Sequence, residues 1–314
     1  MKTISAYGTG TVMTVTGPMT PSELGVTDAH SHLWVSPARG VVFDAPHVTD
    51  AAAVTRQLVA FRQGGGHTII DCQPVSCGRY VARLLEFSTT CDIAVVTSTG
   101  FHLRRYYTGE ESIPWKCSQE QASELFIREL MIGTVETVSS PHPVRAGLIK
   151  VACEDTIAES PVVLLEAAAE AALRTGVAIE VHTQRGADAL RIFAFFEQRG
   201  VGSRIILCHM DKQPDAGLHR ELVQAGAVLE YDTFLRPQYS PEKYVWPLVE
   251  IMANKGLTES VCVGTDMVND MWNQGTSLAD CFASVRERLV QMGLTEQQIA
   301  GMTGRNVTRR LALV

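Results

Sequence analysis

The stretch VAIEVHTQRGADALRIFAFFEQRGVGSRIILCH (177–209) decides the fold. Its ends, Val177–His182 and Arg204–His209, contain the short apolar runs AIEV and RIIL, which suit strands buried on both faces of a parallel sheet. Between them Asp188–Arg199 carries a helical pattern, and Gly200 follows it as a C-terminal cap does. The unit is therefore strand, helix, strand, with a histidine closing each strand. Both histidines stand at carboxyl ends, which in an α/β barrel is the face where catalytic residues gather.

The same unit recurs in both directions along the chain. Further strands are read at Leu24–His30, His67–Cys72, Asp92–Ser98, Gly147–Ala152, Ala227–Asp232 and Ser260–Asp266. Helical patterns lie between them at Ala51–Gln63, Ser118–Ile132, Pro161–Thr175, Gly217–Ala225 and Pro241–Lys255. Pro161 marks a helix start, and Gly176 and Gly226 follow helical runs. Eight strands alternating with helices predict a single-domain (β/α)8 TIM barrel over 1–314, with residues 1–23 an N-terminal extension packed on it. The rival, an open doubly wound sheet, lacks its usual GxGxxG or Walker loop after a first strand.

Composition agrees with one large core. The chain has 314 residues, 46% hydrophobic and 19% charged, with 25 Gly and 13 Pro, which is ordinary globular usage. A chain of this length buries roughly 75% of its unfolded surface. The net charge of −7 argues against a nucleic-acid partner. No apolar run approaches the ~18 residues of a membrane span, so no membrane partner is expected. The N-terminal MKTISAYGTGTVMTVTG lacks the apolar core of a signal peptide, and the eight cysteines form no CxxC pair. A cytoplasmic location with reduced thiols is the expectation.

Metal-ligand chemistry collects at the strand ends. The first strand ends Asp28-Ala29-His30-Ser31-His32, the fourth carries Lys150 in GLIKVAC, and the fifth, sixth and eighth end in His182, His209 and Asp266. Residues i and i+2 share a strand face about 6.6 Å apart, so His30 and His32 can converge on one ion. Lys150 has two readings. A buried ammonium needs neutralising, either by a salt bridge with a residue such as Glu154 or Asp155, or by reaction with carbon dioxide to a carbamate that can bridge two cations. Asp28 and Glu180 each lie two residues before one of these histidines on the same strand face, and Glu230 and Asp232 share a face on the seventh strand. They either orient the histidines or form a buried polar network. Cys72, Cys153 and Cys208 read as small core residues.

The stretches DAHSHL (28–33), STGFHLRRYY (98–107), AGLIKV (146–151), IEVHT (179–183), CHMD (208–211), VGTD (263–266) and GRNVTRRL (304–311) resemble the phosphotriesterase family of the amidohydrolase superfamily. The likeness runs from about Val12 to Leu313. It implies two divalent ions, usually zinc, bridged by a hydroxide and by Lys150 carboxylated by CO2. By the same resemblance His30, His32 and Asp266 hold the more buried ion, and His182 and His209 the more exposed one. Asp266 is then also the catalytic residue, orienting the hydroxide and taking its proton. Lys150 argues against the branch resembling TatD-type nucleases, which uses a carboxylate there. Relatives of this kind commonly form homodimers.

Loop residues after the strands should build the pocket. Cations there, including Arg104, Arg105, Arg185, Lys212 and Arg236, suit an anionic small-molecule substrate. His102 and Arg236 are the expected substrate-binding residues. The resulting expectation is a metal-dependent hydrolase whose bridging hydroxide attacks a lactone or other carboxylic ester. The alternatives are an amidase acting on an N-acyl amino acid, a phosphotriesterase, and a non-catalytic metal-binding barrel.

Overall fold

The computed structural model describes residues 10–36, 46–107, 113–273, 275 and 277–313. An antiparallel hairpin, β1 (Val12–Thr14) with β2 (Gly17–Met19), comes first. Eight strands follow: β3 (Val26–Ser31), β4 (Gly66–Asp71), β5 (Ala94–Gly100), β6 (Leu148–Ala152), β7 (Ile179–His182), β8 (Ile205–Cys208), β9 (Val228–Tyr231) and β10 (Val261–Val263). Each pairs in parallel with its sequence neighbour, in the order β3 to β10. The ring closes beyond the end of β10, where Ser31 bridges Met267 and Asp266 N donates to His30 O at 2.7 Å. This is the (β/α)8 barrel that the strand count predicts. Among the described residues no helix is long and apolar enough to cross a membrane.

Each of the eight sequence-read strands corresponds to an observed one, displaced by a few residues at its ends. The last differs most, because β10 stops at Val263 and Gly264–Asp266 leave the sheet before the expected strand end. Two helices, Val81–Cys91 and Leu278–Gln291, were not among the helical patterns read from the sequence. Residues 1–9 of the expected extension lie outside the described residues. The rest of it forms the hairpin and the short helix Pro21–Leu24, tied to the barrel where Val15 N donates to Val95 O at 2.8 Å.

Strand alternation divides the interior in two. Ile149, Val151, Ile179, Val181, Ile205, Leu207 and Leu229 pack in the layer between sheet and helices. Their neighbours Leu148, Ala178, Ile206, Val228 and Cys262 join Val12, Leu24, Val307 and Leu311 in a second apolar cluster inside the barrel. The hairpin, the first short helix and the helix Asn306–Leu311 thus supply side chains to the barrel's apolar floor. Two residues further along the same strand faces stand Lys150, Glu180 and Glu230, none with any exposed surface.

Asp28 shows how closure depends on a buried carboxylate. It accepts from Thr265 N at 3.0 Å, Thr265 Oγ1 at 2.7 Å, Ser31 Oγ at 2.5 Å and His30 N at 3.2 Å. Burial outweighs these bonds and pushes its pKa up to about 7. The Asp28→Ala change strands buried donors on both sides of the seam. We expect a loss of about 2–4 kcal/mol, seen as a lower denaturant midpoint at unchanged slope. An unchanged midpoint would contradict this role.

Candidate metal centre

The barrel brings five of the six sequence-predicted ligands, His30, His32, His182, His209 and Asp266, to the wall of one cavity of about 160 Å³, and Lys150 is not among its lining residues. His209 and Asp266 both follow a strand in left-handed conformation, with φ of 64° and 48°. A non-glycine residue held there costs roughly 1–3 kcal/mol, and such residues cluster at functional sites. Periodicity carries no sign of these turns.

The donor atoms form two groups. Nε2 of His32 and Nε2 of His30 lie 3.6 and 3.8 Å from Asp266 Oδ1. Nδ1 of His182 and Nε2 of His209 lie 2.8 Å apart. Three of the four histidines are held by their other ring nitrogen. His30 Nδ1 meets Glu230 Oε1 at 2.9 Å, His32 Nδ1 meets Gln73 Oε1 at 2.8 Å, and His209 Nδ1 meets Asp232 Oδ2. The Gln73 amide oxygen and the Asp232 carboxylate accept, so Nδ1 of His32 and of His209 carries the proton and each Nε2 lone pair is free to bind. Lys212 Nζ also lies 2.8 Å from Nδ1 of His209, but Asp232 can only accept, which keeps the proton on that nitrogen.

Electrostatics keep the set ready for cations. Burial holds His30, His102 and His182 well below the ordinary imidazole range, with Lys150 adding to the effect at the first two and His209 at the third. His209 is also lowered, again by burial. Neutral imidazole is the form that ligates metal. At Asp266 burial opposes ionisation, yet Lys212 and Arg236 outweigh it and hold the carboxyl well below its usual range. Their distances to Oδ2 are 3.2 and 2.9 Å.

The residues present fit a metal centre. His30, His32 and Asp266 each offer a donor atom within 4.8 Å of the others. With Nδ1 of His209 protonated, its Nε2 accepts and His182 Nδ1 must donate to it. That leaves His182 Nε2 a buried acceptor with no hydrogen-bond partner. A cation at the two facing nitrogens would take both lone pairs, with Nε2 of His182 then carrying that ring's proton.

Lys150 corrects one sequence reading. Its Nζ lies 2.6 Å from Glu180 Oε1, not against Glu154 or Asp155. Parallel pairing sets Lys150 opposite Glu180, whereas Glu154 and Asp155 come after the strand has ended. Among the other acids, Glu230 contacts His30, Asp232 contacts His209, and Asp28 belongs to the β3–β10 seam.

The expected substrate residues fall in different places. His102 lines the cavity, its ring 5.1 Å from that of His182 and edge-on to Tyr106. Arg236 is not among the cavity-lining residues; its Nη2 donates to Asp266, at both the carboxylate and the backbone carbonyl. Lys212 is the cation that does line the cavity, while Arg104, Arg105 and Arg185 are exposed. Gln73 was missed by sequence reasoning. It stands just past the end of β4, the same kind of position that singled out the histidines.

A parallel barrel with a histidine and carboxylate cluster at its carboxyl-end cavity is the arrangement of a candidate metal centre. The chain belongs to the phosphotriesterase family, whose model matches residues 10–311. It is 26% identical to a phospho-furanose lactonase of Mycoplasmopsis synoviae, covering 95% of this chain and 91% of that protein. An N-acetyltaurine hydrolase of Xenopus tropicalis is 24% identical, covering 72% of each. The crystal structure of a lactonase from Listeria monocytogenes superposes with a TM-score of 0.85 at 20% identity, covering 97% of this chain and 99% of that one.

The Asp232→Ala change removes the anchor of His209. It should weaken zinc binding roughly 10–100-fold in a competition titration against a chromophoric chelator. Wild-type affinity would show that Asp232 does not orient a ligand.

Proposed function

We propose that this protein is a binuclear metal hydrolase that opens lactones, or other carboxylic esters, carrying an anionic group. The observation that supports it best is the convergence of His30, His32, His182, His209 and Asp266 on one cavity, three of the histidines fixed through Nδ1. His30, His32 and Asp266 would hold one divalent ion, His182 and His209 the other, with carboxylated Lys150 between them. Zinc suits this mixture of imidazole and carboxylate ligands. Bound there, the ions would acidify a water and polarise the substrate's carbonyl oxygen.

The chain's own residues complete the chemistry. Asp266 stays ionised at working pH because Lys212 and Arg236 hold it, so it is always able to receive the proton of the attacking water. It then passes that proton to the leaving alkoxide. Lys212, ion-paired with Asp266 and Asp232, lines the cavity wall and is the cation placed to meet an anionic substituent, and His102 bounds the same space. The lactonase relative that aligns over nearly the whole chain is named for a phospho-sugar substrate, which supports an anionic lactone. An amide substrate is the second reading, because relatives named N-acetyltaurine hydrolases align as well.

Metal analysis together with a substrate panel tests the proposal. Protein purified without chelator should carry about two metals per chain. It should turn over γ- or δ-lactones bearing phosphate or carboxylate faster than neutral lactones, N-acyl amino acids or a phosphotriester. Asp266→Asn should lower kcat by roughly 10²–10⁴. Preference for the N-acyl amino acids would replace the ester by the amide, and unchanged turnover in Asp266→Asn would remove the proton-transfer role.

A further inference from the structure

Glu180 is a fully buried carboxylate that the proposed chemistry leaves unused. Its Oε1 receives Lys150 Nζ at 2.6 Å, Cys72 Sγ at 2.8 Å and Cys208 Sγ at 3.3 Å. The surroundings of the lysine nitrogen are lopsided. Beyond Glu180 it has His30 Nε2 at 3.5 Å and Cys208 Sγ at 3.4 Å. An ammonium brings three protons to this point, and one of them has a close, strong acceptor.

A carbamate nitrogen keeps one proton. We propose that Glu180 is the positioning residue of the carboxylated lysine, accepting the single N–H that remains on Nζ and thereby aiming the carbamate at the ions. This rests on the reading of Lys150 as the bridging group. In the step itself the Nζ–C bond forms to carbon dioxide and two of the three protons leave to buffer. The third stays on nitrogen and donates to Glu180 Oε1. The resulting nitrogen is planar. With Cε and the Glu180 contact fixing two of its directions, the carboxyl group is confined to the third. Of the groups near Nζ, His30 Nε2 is a proposed ligand atom, so that side is the one facing the ions.

Burial makes the contact consequential. Neither Lys150 nor Glu180 has exposed surface, so water cannot replace the acceptor, and an orphaned N–H there is costly. The pairing follows from the sheet, since Lys150 and Glu180 are register partners on β6 and β7. Any side chain at 180 is therefore presented to Lys150.

Glu180→Gln and Glu180→Met separate acceptor from charge, because glutamine retains a carbonyl oxygen and methionine has no comparable acceptor. Apo-protein is reconstituted with zinc and 13C-bicarbonate, and the carbamate is followed by 13C NMR together with metal content. Wild type should show a carbamate resonance that Lys150→Ala lacks. Glu180→Gln should keep it, while Glu180→Met needs roughly 10-fold or more bicarbonate to reach the same occupancy. Carbamate at wild-type occupancy and bicarbonate in folded Glu180→Met overturns the proposal. So does equal loss in Gln and Met, which means that charge alone matters. If fully metal-loaded wild type shows no carbamate, the bridging reading of Lys150 fails first, and this inference falls with it.

Discussion

The contact between Lys150 and Glu180 lies where the apolar floor of the barrel meets its polar cavity. Two opposite charges without solvent contact sit on neighbouring strands, 2.6 Å apart, directly above an apolar floor. Taking both from water costs several kcal/mol each, and only close geometry offsets that. Breaking such a pair by removing one partner leaves an uncompensated buried charge, commonly worth 3–5 kcal/mol. A packed apolar pair of similar volume would serve stability as well or better. The pair is more readily understood as equipment for the cavity above it.

Strand geometry carries that equipment upward. On β7 the inward residues run Ala178, Glu180, His182, and on β9 they run Val228, Glu230, Asp232. Each strand passes from floor to anchor to rim in steps of two residues. Glu230 then holds His30 across the barrel, and Asp232 holds His209 on the neighbouring strand. His30 is thus oriented from within the sheet, and His32 and His209 by residues just past strand ends, positions that suit a site needing fixed ligand directions. Asp266 differs, because it has left the sheet and is fixed by Lys212, Arg236 and its left-handed backbone.

Much of this was legible in the sequence, and the reasons it stopped where it did are physical. Apolar runs of four to six residues ending in His, Lys or Asp gave the strands and their polar ends, because burial on both faces removes any alternation to misread. The partner of Lys150 was not legible. It depends on register between β6 and β7, which no local pattern encodes. Gln73 escaped notice because a neutral amide at a strand end carries no chemical signature of its own. The contact of Arg236 with Asp266 was not legible either, because it joins two loops far apart in the chain. The family match over residues 10–311 agrees with the motif resemblance.

X-ray absorption at the zinc edge on reconstituted protein tests the centre most directly. Cys72 and Cys208 lie beside Glu180, immediately below the ligand ring, so a site displaced downward would acquire sulfur. The arrangement described predicts nitrogen and oxygen ligands only, with a second zinc scatterer at about 3.5–4 Å. A zinc–sulfur shell near ~2.3 Å, or an isolated zinc with no metal neighbour, would contradict it.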